Sequence, residues 1–350
     1  MRSPSTSTVE DFSSALFPAG RSGRFSESTW LVGGLRMGQD FAHDPVMVDE
    51  VVALLGPVPP GVVIDGTVGG GGHAAAILDA HPHLSLLGLD RDPDALEAAA
   101  DRLARFGARA TLRRARFSAL GHVAAEALPA GTVIAGSLLD LGVSSPQLDR
   151  AERGFSYRQD GPLDMRMDPT AGPSALDLVN EARADDLASL FRDSGERRLA
   201  HRLARAIVSG RPISTTSQLA DVVSAAVPAA LRRRGHPARR VFQALRIAVN
   251  EELNELSAAL EPATGLLGVG GRCVVIAYHS GEDRIVKAAF ANAVTGGCTC
   301  PVGLPCVCGA VPEHRLVFGG ARKASADEAA RNHRADSARL RALERFAVAS

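Results

Sequence analysis

Lysine is nearly missing from this chain: Lys287 and Lys323 stand alone among 39 basic residues, and the rest are arginine. Net charge is missing too, at zero over 350 residues, which excludes a uniformly basic coat for nucleic acid. That balance conceals a cluster. Between Arg197 and Arg246, eleven arginines stand against one acid, Asp221. A compositional bias toward Ala, Gly and Arg explains arginine in place of lysine but not the clustering, and such a segment suits phosphates. Long apolar runs are also lacking, because Pro57, Pro59 and Pro60 interrupt the richest stretch between Val51 and Ile64. Nothing left is long enough to span a membrane. The N-terminus has no charged, apolar and small-residue succession of the secretory kind, so the expected compartment is the cytoplasm, where disulfides are not expected.

What is present is enough apolar residue, 45% of the chain, for two domains or for one domain carrying a large insertion. Residues 1–36 are rich in Ser, Thr, Gly and Arg and show no sustained period. They are expected to be disordered, either as an over-extended gene start before Met37 or as a flexible arm. From Val62 onward, apolar runs of strand length alternate with helical stretches: Val62 to Asp65, Leu84 to Asp90, Ala110 to Phe117 and Val133 to Asp140. This alternation predicts an α/β fold with an open parallel sheet that binds ligands at the carboxyl ends of its strands. A fifth strand, Arg272 to Tyr278, returns only after a long interval, and a final hairpin is expected around His314 to Phe318.

The interval reads as a mostly helical insert over residues 142–246. Leu199, Leu203 and Ile207 recur every fourth residue, while Arg198, Arg202 and Arg205 take other faces of a basic amphipathic helix. Thr215 and Gln218 make a capping box for the next helix, which Pro228 closes. Phe242, Leu245, Val249, Leu253, Leu256 and Leu260 then form one apolar stripe, predicting a single long helix back to the sheet.

Chemistry concentrates where VVIDGTVGGGGH, from Val62 to His73, sets four glycines between a buried strand and a helix. Such a loop lets the backbone approach a ligand and presents helix N–H donors to a phosphate or carboxylate. Asp90 ends the next strand about 20 residues on, where an acid can accept from both hydroxyls of a ribose. Gly69, Gly71 and Ala74 also satisfy G-x-G-x-x-A, so a nicotinamide dinucleotide is the rival to another nucleoside cofactor. Against it stands LLDLGVSSPQLD, from Leu138 to Asp149. Its acid and Ser-Ser-Pro turn suit the holding of a planar amine by its N–H groups.

Longer motifs narrow the choice. DGTVGGGGH from Asp65, LDRDPDAL from Leu89, DLGVSSPQLDRAERGFSYRQDGPLDMRMDP from Asp140, GERRLAHRLARAIV from Gly195, FQALRIAVNEEL from Phe242 and YHSGEDRIVK from Tyr278 occur in that order. The chain therefore resembles the ribosomal RNA small subunit methyltransferase H family (RsmH, also called MraW) from about His43 to Arg345. It departs from the family at Val68 and Gly70 in the glycine loop, at Gly281 where leucine is usual, and at NHRADS from Asn332 where the family tends to NPRARS. The resemblance implies a Rossmann-like class I S-adenosylmethionine methyltransferase core, residues 37–141 and 247–345, around a helical RNA-recognition insert. It implies methyl transfer from S-adenosylmethionine to the exocyclic N(4) amine of a cytidine in 16S rRNA of the small ribosomal subunit, at the decoding centre. By position it also implies that Gly71, Gly72, His73, Asp90, Phe117, Asp140 and Gln147 contact the cofactor.

The residue chemistry agrees in outline: glycine N–H groups for the methionine end, Asp90 for the ribose, and the Phe117 ring for adenine. His73 either joins them or caps the helix. For the base, the expected acceptors are Asp140, Ser144 and Ser145. Asp140 holds the cofactor's ammonium in the alternative, leaving the serine turn to face the base. Tyr278, His279, Ser280, Glu282, Asp283 and Arg284 are substrate-side candidates, with a Glu282–Arg284 pair and a His279 helix cap as their structural readings. Cys298, Cys300, Cys306 and Cys308, in CTCPVGLPCVC, are candidate zinc ligands at a spacing unlike the commoner C-x-x-C knuckle. Cys273 reads as core.

Overall fold

The computed structural model describes residues 45–232, 236–301 and 306–347, apart from the side chains of Ser145 and Arg232. The expected disordered tail, residues 1–36, lies outside them. A seven-stranded sheet runs in the order β3-β2-β1-β4-β5-β7-β6. Its strands are β1 (Gly61–Asp65), β2 (Leu84–Asp90), β3 (Ala110–Arg114), β4 (Ile134–Asp140), β5 (Leu267–Ala277), β6 (His314–Leu316) and β7 (Arg339–Arg345). The first five are parallel, and β7 pairs antiparallel with both β5 and β6.

Strand alternation divides the core. Val63, Val274 and Ile276 face one cluster, joined by Val51 and Leu55 of α1 (Val48–Leu55) and Ile77 and Leu78 of α2 (Gly72–Ala80). Ile64, Cys273 and Val275 face the other, with Leu120 of α4 (Leu120–Ala127), Leu256 and Leu260 of α12 (Glu252–Gly265) and Phe290 of α13 (Ser280–Val294). The sheet is thus buried on both faces, as parallel pairing requires. Between β2 and β3, α3 (Pro93–Leu103) begins where the Asp92 side chain accepts from Asp94 N–H at 3.1 Å and Pro93 sets the first turn.

Within the described residues, 151–166 and 172–251 form one compact unit, and 45–150, 167–171 and 252–347 the other. The first holds α6 (Ala175–Glu181), α7 (Ala184–Asp193), α8 (Ala200–Ser209), α9 (Thr216–Ala226), α10 (Ala229–Arg232) and α11 (Ala238–Val249). On α8, Leu203 and Ile207 are buried while Arg202 and Arg205 are exposed. Thr215 and Gln218 form the capping box of α9, which ends before Pro228.

Three expectations are corrected. The stripe from Phe242 to Leu260 is carried by two helices, α11 and α12, because the chain turns at Asn250 and Glu251. Glu251 is left-handed at φ 53°, and fully buried Asn250 donates from Nδ2 to Met165 O at 2.7 Å and Arg246 O at 3.0 Å. β3 stops at Arg114, and Phe117 opens a 3₁₀ turn instead of ending the strand. His314–Leu316 is no hairpin arm: its partner is β7, more than 20 residues later.

Candidate active site

Asp65, Asp90 and Asp140 are the last residues of β1, β2 and β4, three strands adjacent in the sheet. Parallel pairing therefore gathers three carboxyls along one edge. The glycine loop leaves β1 beside them, with Gly69 at φ 51° and Gly71 at φ 77°, a backbone that side chains rarely tolerate. At Gly72 a Cβ would lie 2.7 Å from Pro45 Cγ. Gly71 N-caps α2 with no side-chain capping bond, so first-turn N–H groups remain for a ligand. The loop is tied to β2 by Gly69 N–H, which donates to Asp90 Oδ2 at 2.9 Å, while Asp92 N–H donates to Oδ1 at 2.9 Å. A carboxylate offers about four acceptor positions, so Asp90 retains acceptor capacity for a ligand hydroxyl beside its backbone donors.

The three acids are held away from their ordinary protonation. Burial pushes the Asp65 carboxyl up to about 7, opposed by the Thr67 N–H bond and reinforced by Asp140 and Asp90. Burial also pushes Asp90 up to about 6, against its backbone bond from Asp92. Asp140 is raised by burial, with the charge of His73 acting the other way. A cation among them relieves both the burial and the mutual repulsion. An anionic pyrophosphate would aggravate them.

Asp140 is fixed from several sides. Its backbone N–H donates to Thr67 Oγ1 at 2.7 Å, its Oδ1 accepts from the Tyr278 hydroxyl at 2.7 Å, and its Oδ2 lies 3.6 Å from His73 Nδ1. His73, 7% exposed, does not cap α2. Its Nε2 meets Val46 O at 2.9 Å, so that nitrogen carries a proton and Nδ1 is left toward the carboxylate.

Gln147 is buried: its Oε1 accepts from Ser144 N–H at 3.0 Å and its Nε2 donates to Asp92 Oδ2 at 2.8 Å. Ser144 is the N-cap of α5 (Ser145–Asp149), forming a capping box with Gln147. The Ser145 side chain lies outside the described residues. Phe117 packs half-buried beside Leu120, and its Cβ would lie 3.1 Å from a Cβ at Gly66.

His279 caps α13, its Nδ1 accepting from Gly281 N–H at 3.1 Å. Glu282 accepts from Tyr278 N–H at 2.7 Å and His279 N–H at 3.1 Å, in place of the expected pairing with Arg284. Its Oε1 also lies 3.1 Å from His279 Nε2, and Glu252, His279 and Glu282 bring ligand atoms within 4.8 Å of one another. Asp283 turns to β7, taking Arg341 Nε at 2.8 Å. The four clustered cysteines lie beyond α13, in the connection to β6, and Cys273 is buried in β5.

Sequence reasoning singled out Asp90 and Asp140 but gave Asp65, Thr67 and Asp92 no role. Asp65 and Thr67 stand inside the quoted DGTVGGGGH, and the end of a buried strand was the signal available for Asp65.

The sequence profile of the MraW methylase family matches residues 40–346. The chain belongs to that family. Ribosomal RNA small subunit methyltransferase H of Geobacter sulfurreducens is 52% identical over 312 residues, 87% of this chain and 99% of that protein. The protein of the same name from Heliobacterium modesticaldum is 50% identical over 312 residues, with the same coverage. That of Mycobacterium sp. (strain KMS) is 47% identical over 343 residues, 95% of this chain and 91% of the relative. Among solved structures, an rRNA methylase from Streptococcus thermophilus aligns over 86% of this chain and 94% of its own at 12% identity and a TM-score of 0.37. A Streptococcus mutans protein in complex with SAH aligns at 11% identity and 0.39. Methylases of this family draw the methyl group from S-adenosylmethionine, a cationic nucleoside.

Proposed function

We propose that this methylase transfers the methyl group of S-adenosylmethionine to the exocyclic N(4) amine of a cytidine in 16S rRNA of the small ribosomal subunit, at the decoding centre. The observation that carries the cofactor half is the row of Asp65, Asp90 and Asp140 beside a glycine loop. It favours a cationic nucleoside over the nicotinamide dinucleotide that G-x-G-x-x-A also allows. The substrate half rests on the relatives, each named for the small-subunit ribosomal RNA.

The cofactor supplies an already activated methyl group, so the protein's task is placement. Asp90 accepts the ribose hydroxyls, Gly72 offers its backbone N–H to the methionine carboxylate while Gly71, whose own N–H closes the loop onto Val68 O at 2.8 Å, brings the backbone close, and Phe117 lies against adenine. Asp140 takes the ammonium, since it stands beside His73 on the glycine-loop helix with Tyr278 fixing its other oxygen. Ser144 and Ser145 then accept the N–H bonds of the cytosine amine, whose delocalised lone pair has to be held in line with the methyl carbon. A cytidine in folded RNA reaches such a cleft only when splayed out, at a cost of a few kcal/mol. The arginines of residues 142–246 offset that cost through phosphates, which makes this segment the RNA-recognition insert.

Mass mapping of 16S rRNA from small subunits incubated with protein and cofactor checks the site. One cytidine should gain a methyl group on its exocyclic nitrogen; methylation at ring carbon or ribose would contradict the reading.

A further inference from the structure

Four cysteines in the connection between α13 and β6 take no part in the site above, yet their sulfurs converge. Cys298 Sγ lies 3.5 Å from Cys306 Sγ and 3.6 Å from Cys308 Sγ, Cys306 Sγ lies 3.5 Å from Cys308 Sγ, and Cys300 Sγ lies 4.0 Å from Cys306 Sγ. All four fall within 4.8 Å of one another. A tetrahedral ion at about 2.3 Å from each of four sulfurs sets them about 3.8 Å apart, whereas a disulfide would bring a pair to about 2.0 Å. The measured separations match the first arrangement, and all four cysteines are free.

The surrounding backbone is arranged for thiolates. Val307 N–H donates to Cys300 Sγ at 3.4 Å. Such a donor stabilises negative sulfur and orients it toward a metal. The loop is also pinched at its base: Gly296, at φ 61°, has no room for a Cβ, which would lie 2.6 Å from Val311 O. Among the described residues of this segment, Val307 is 89% exposed and Val311 55% exposed. Four converging thiols at van der Waals contact are the donor set of a metal site.

We propose that Cys298, Cys300, Cys306 and Cys308 bind one zinc ion as a closed tetrathiolate that pins the loop between α13 and β6. With four protein sulfurs the coordination sphere is full, so the ion is structural and takes no part in methyl transfer. It fixes the base of the loop next to Glu313, which pairs with Arg345 of β7 at 2.6 Å, and His314, whose Nε2 meets Thr264 O at 3.2 Å.

The full chain, expressed in zinc-supplemented medium and purified without chelator, should carry about one zinc per chain by elemental analysis. The Cys306→Ser/Cys308→Ser variant should lose it. Titration of the metal-stripped wild-type chain with cobalt should give the intense visible bands of a tetrahedral thiolate complex, a reading that does not depend on any variant folding. Retained binding of S-adenosylmethionine by the variant would assign the loss of zinc to the loop and not to a collapsed core. Sub-stoichiometric zinc equal in both proteins, octahedral cobalt spectra, or Cys–Cys disulfides mapped in the fresh wild-type chain would each overturn the proposal.

Discussion

At the scale of single residues the account turns on three carboxyls. Asp90 is held by backbone N–H bonds that include those of Gly69 and Asp92 and keeps acceptor capacity toward a ribose, so its removal deletes a charge-assisted acceptor. Asp90→Ala should weaken binding of S-adenosylmethionine by roughly 2 kcal/mol or more; calorimetry that finds unchanged affinity would remove Asp90 from the site. The pH dependence has a definite sign. Asp65 and Asp90 are raised from 3.8 to about 7 and about 6, so their contribution to the stability of the free chain is whole below about pH 4 and is lost as pH rises through 6 to 7. A bound cation favours the charged forms instead. The thermal stabilisation given by a fixed excess of S-adenosylmethionine should therefore grow between about pH 5 and pH 8, with protons released on binding. A shift in melting temperature that stays constant over this range would contradict the cation-holding role of the acids.

At the scale of elements, the Asn250 side chain is the clearest test of why the apolar stripe breaks in two. Asn250→Ala leaves Met165 O without its buried donor and should destabilise the helical unit by about 1–3 kcal/mol, visible as faster hydrogen exchange in α11 while the strands keep their protection. Equal exchange in both proteins would mean that the turn is held by something else. That break was not legible beforehand, since the spacing of Phe242, Leu245, Val249, Leu253 and Leu256 fits a continuous helix and the competing contact comes from a residue 85 positions away. Strands β1, β2 and β4 were legible because both of their faces are buried and their runs are mostly apolar, broken only by small residues such as Ser85, Gly88, Gly136 and Ser137. β7 was not. Its sequence RLRALER is rich in charge, and its strand character comes from pairing with the distant β5 and β6, reinforced by Arg341 with Asp283 at 2.8 Å and Glu344 with Arg272 at 2.8 Å. The site followed the same division. Asp90 and Asp140 were readable at strand ends, whereas the link from Tyr278 to Asp140 spans 138 positions and no local pattern announces it.

At the scale of the whole molecule, a chain with zero net charge has to bind RNA through a local excess of arginine. Not all of the cluster is available for this. Arg211 donates to Val179 O and Ala182 O, and Arg240 pairs with Glu196 at 2.9 Å, while Arg233 and Arg234 lie outside the described residues. Arg198, Arg202 and Arg239 are exposed. Replacing these three by Ala should lower the slope of log RNA affinity against log salt by about two to three units, at about 0.9 per lost phosphate contact. Cofactor affinity should not change. An unaltered slope with RNA binding still measurable would make them a solvated face.

Methyl transfer to small-subunit RNA beside the three acids is open to a tritium-transfer assay. Small subunits are incubated with methyl-labelled S-adenosylmethionine and either the wild-type chain or Asp90→Ala, and label is counted in the purified 16S rRNA. The account predicts label with the wild-type chain, recovered as N(4)-methylated cytidine, and at least a tenfold loss at limiting cofactor with the variant while RNA binding persists, the equivalent of about 1.4 kcal/mol. Tight RNA binding by the wild-type chain with no label transferred, or equal transfer by the two proteins, would contradict it.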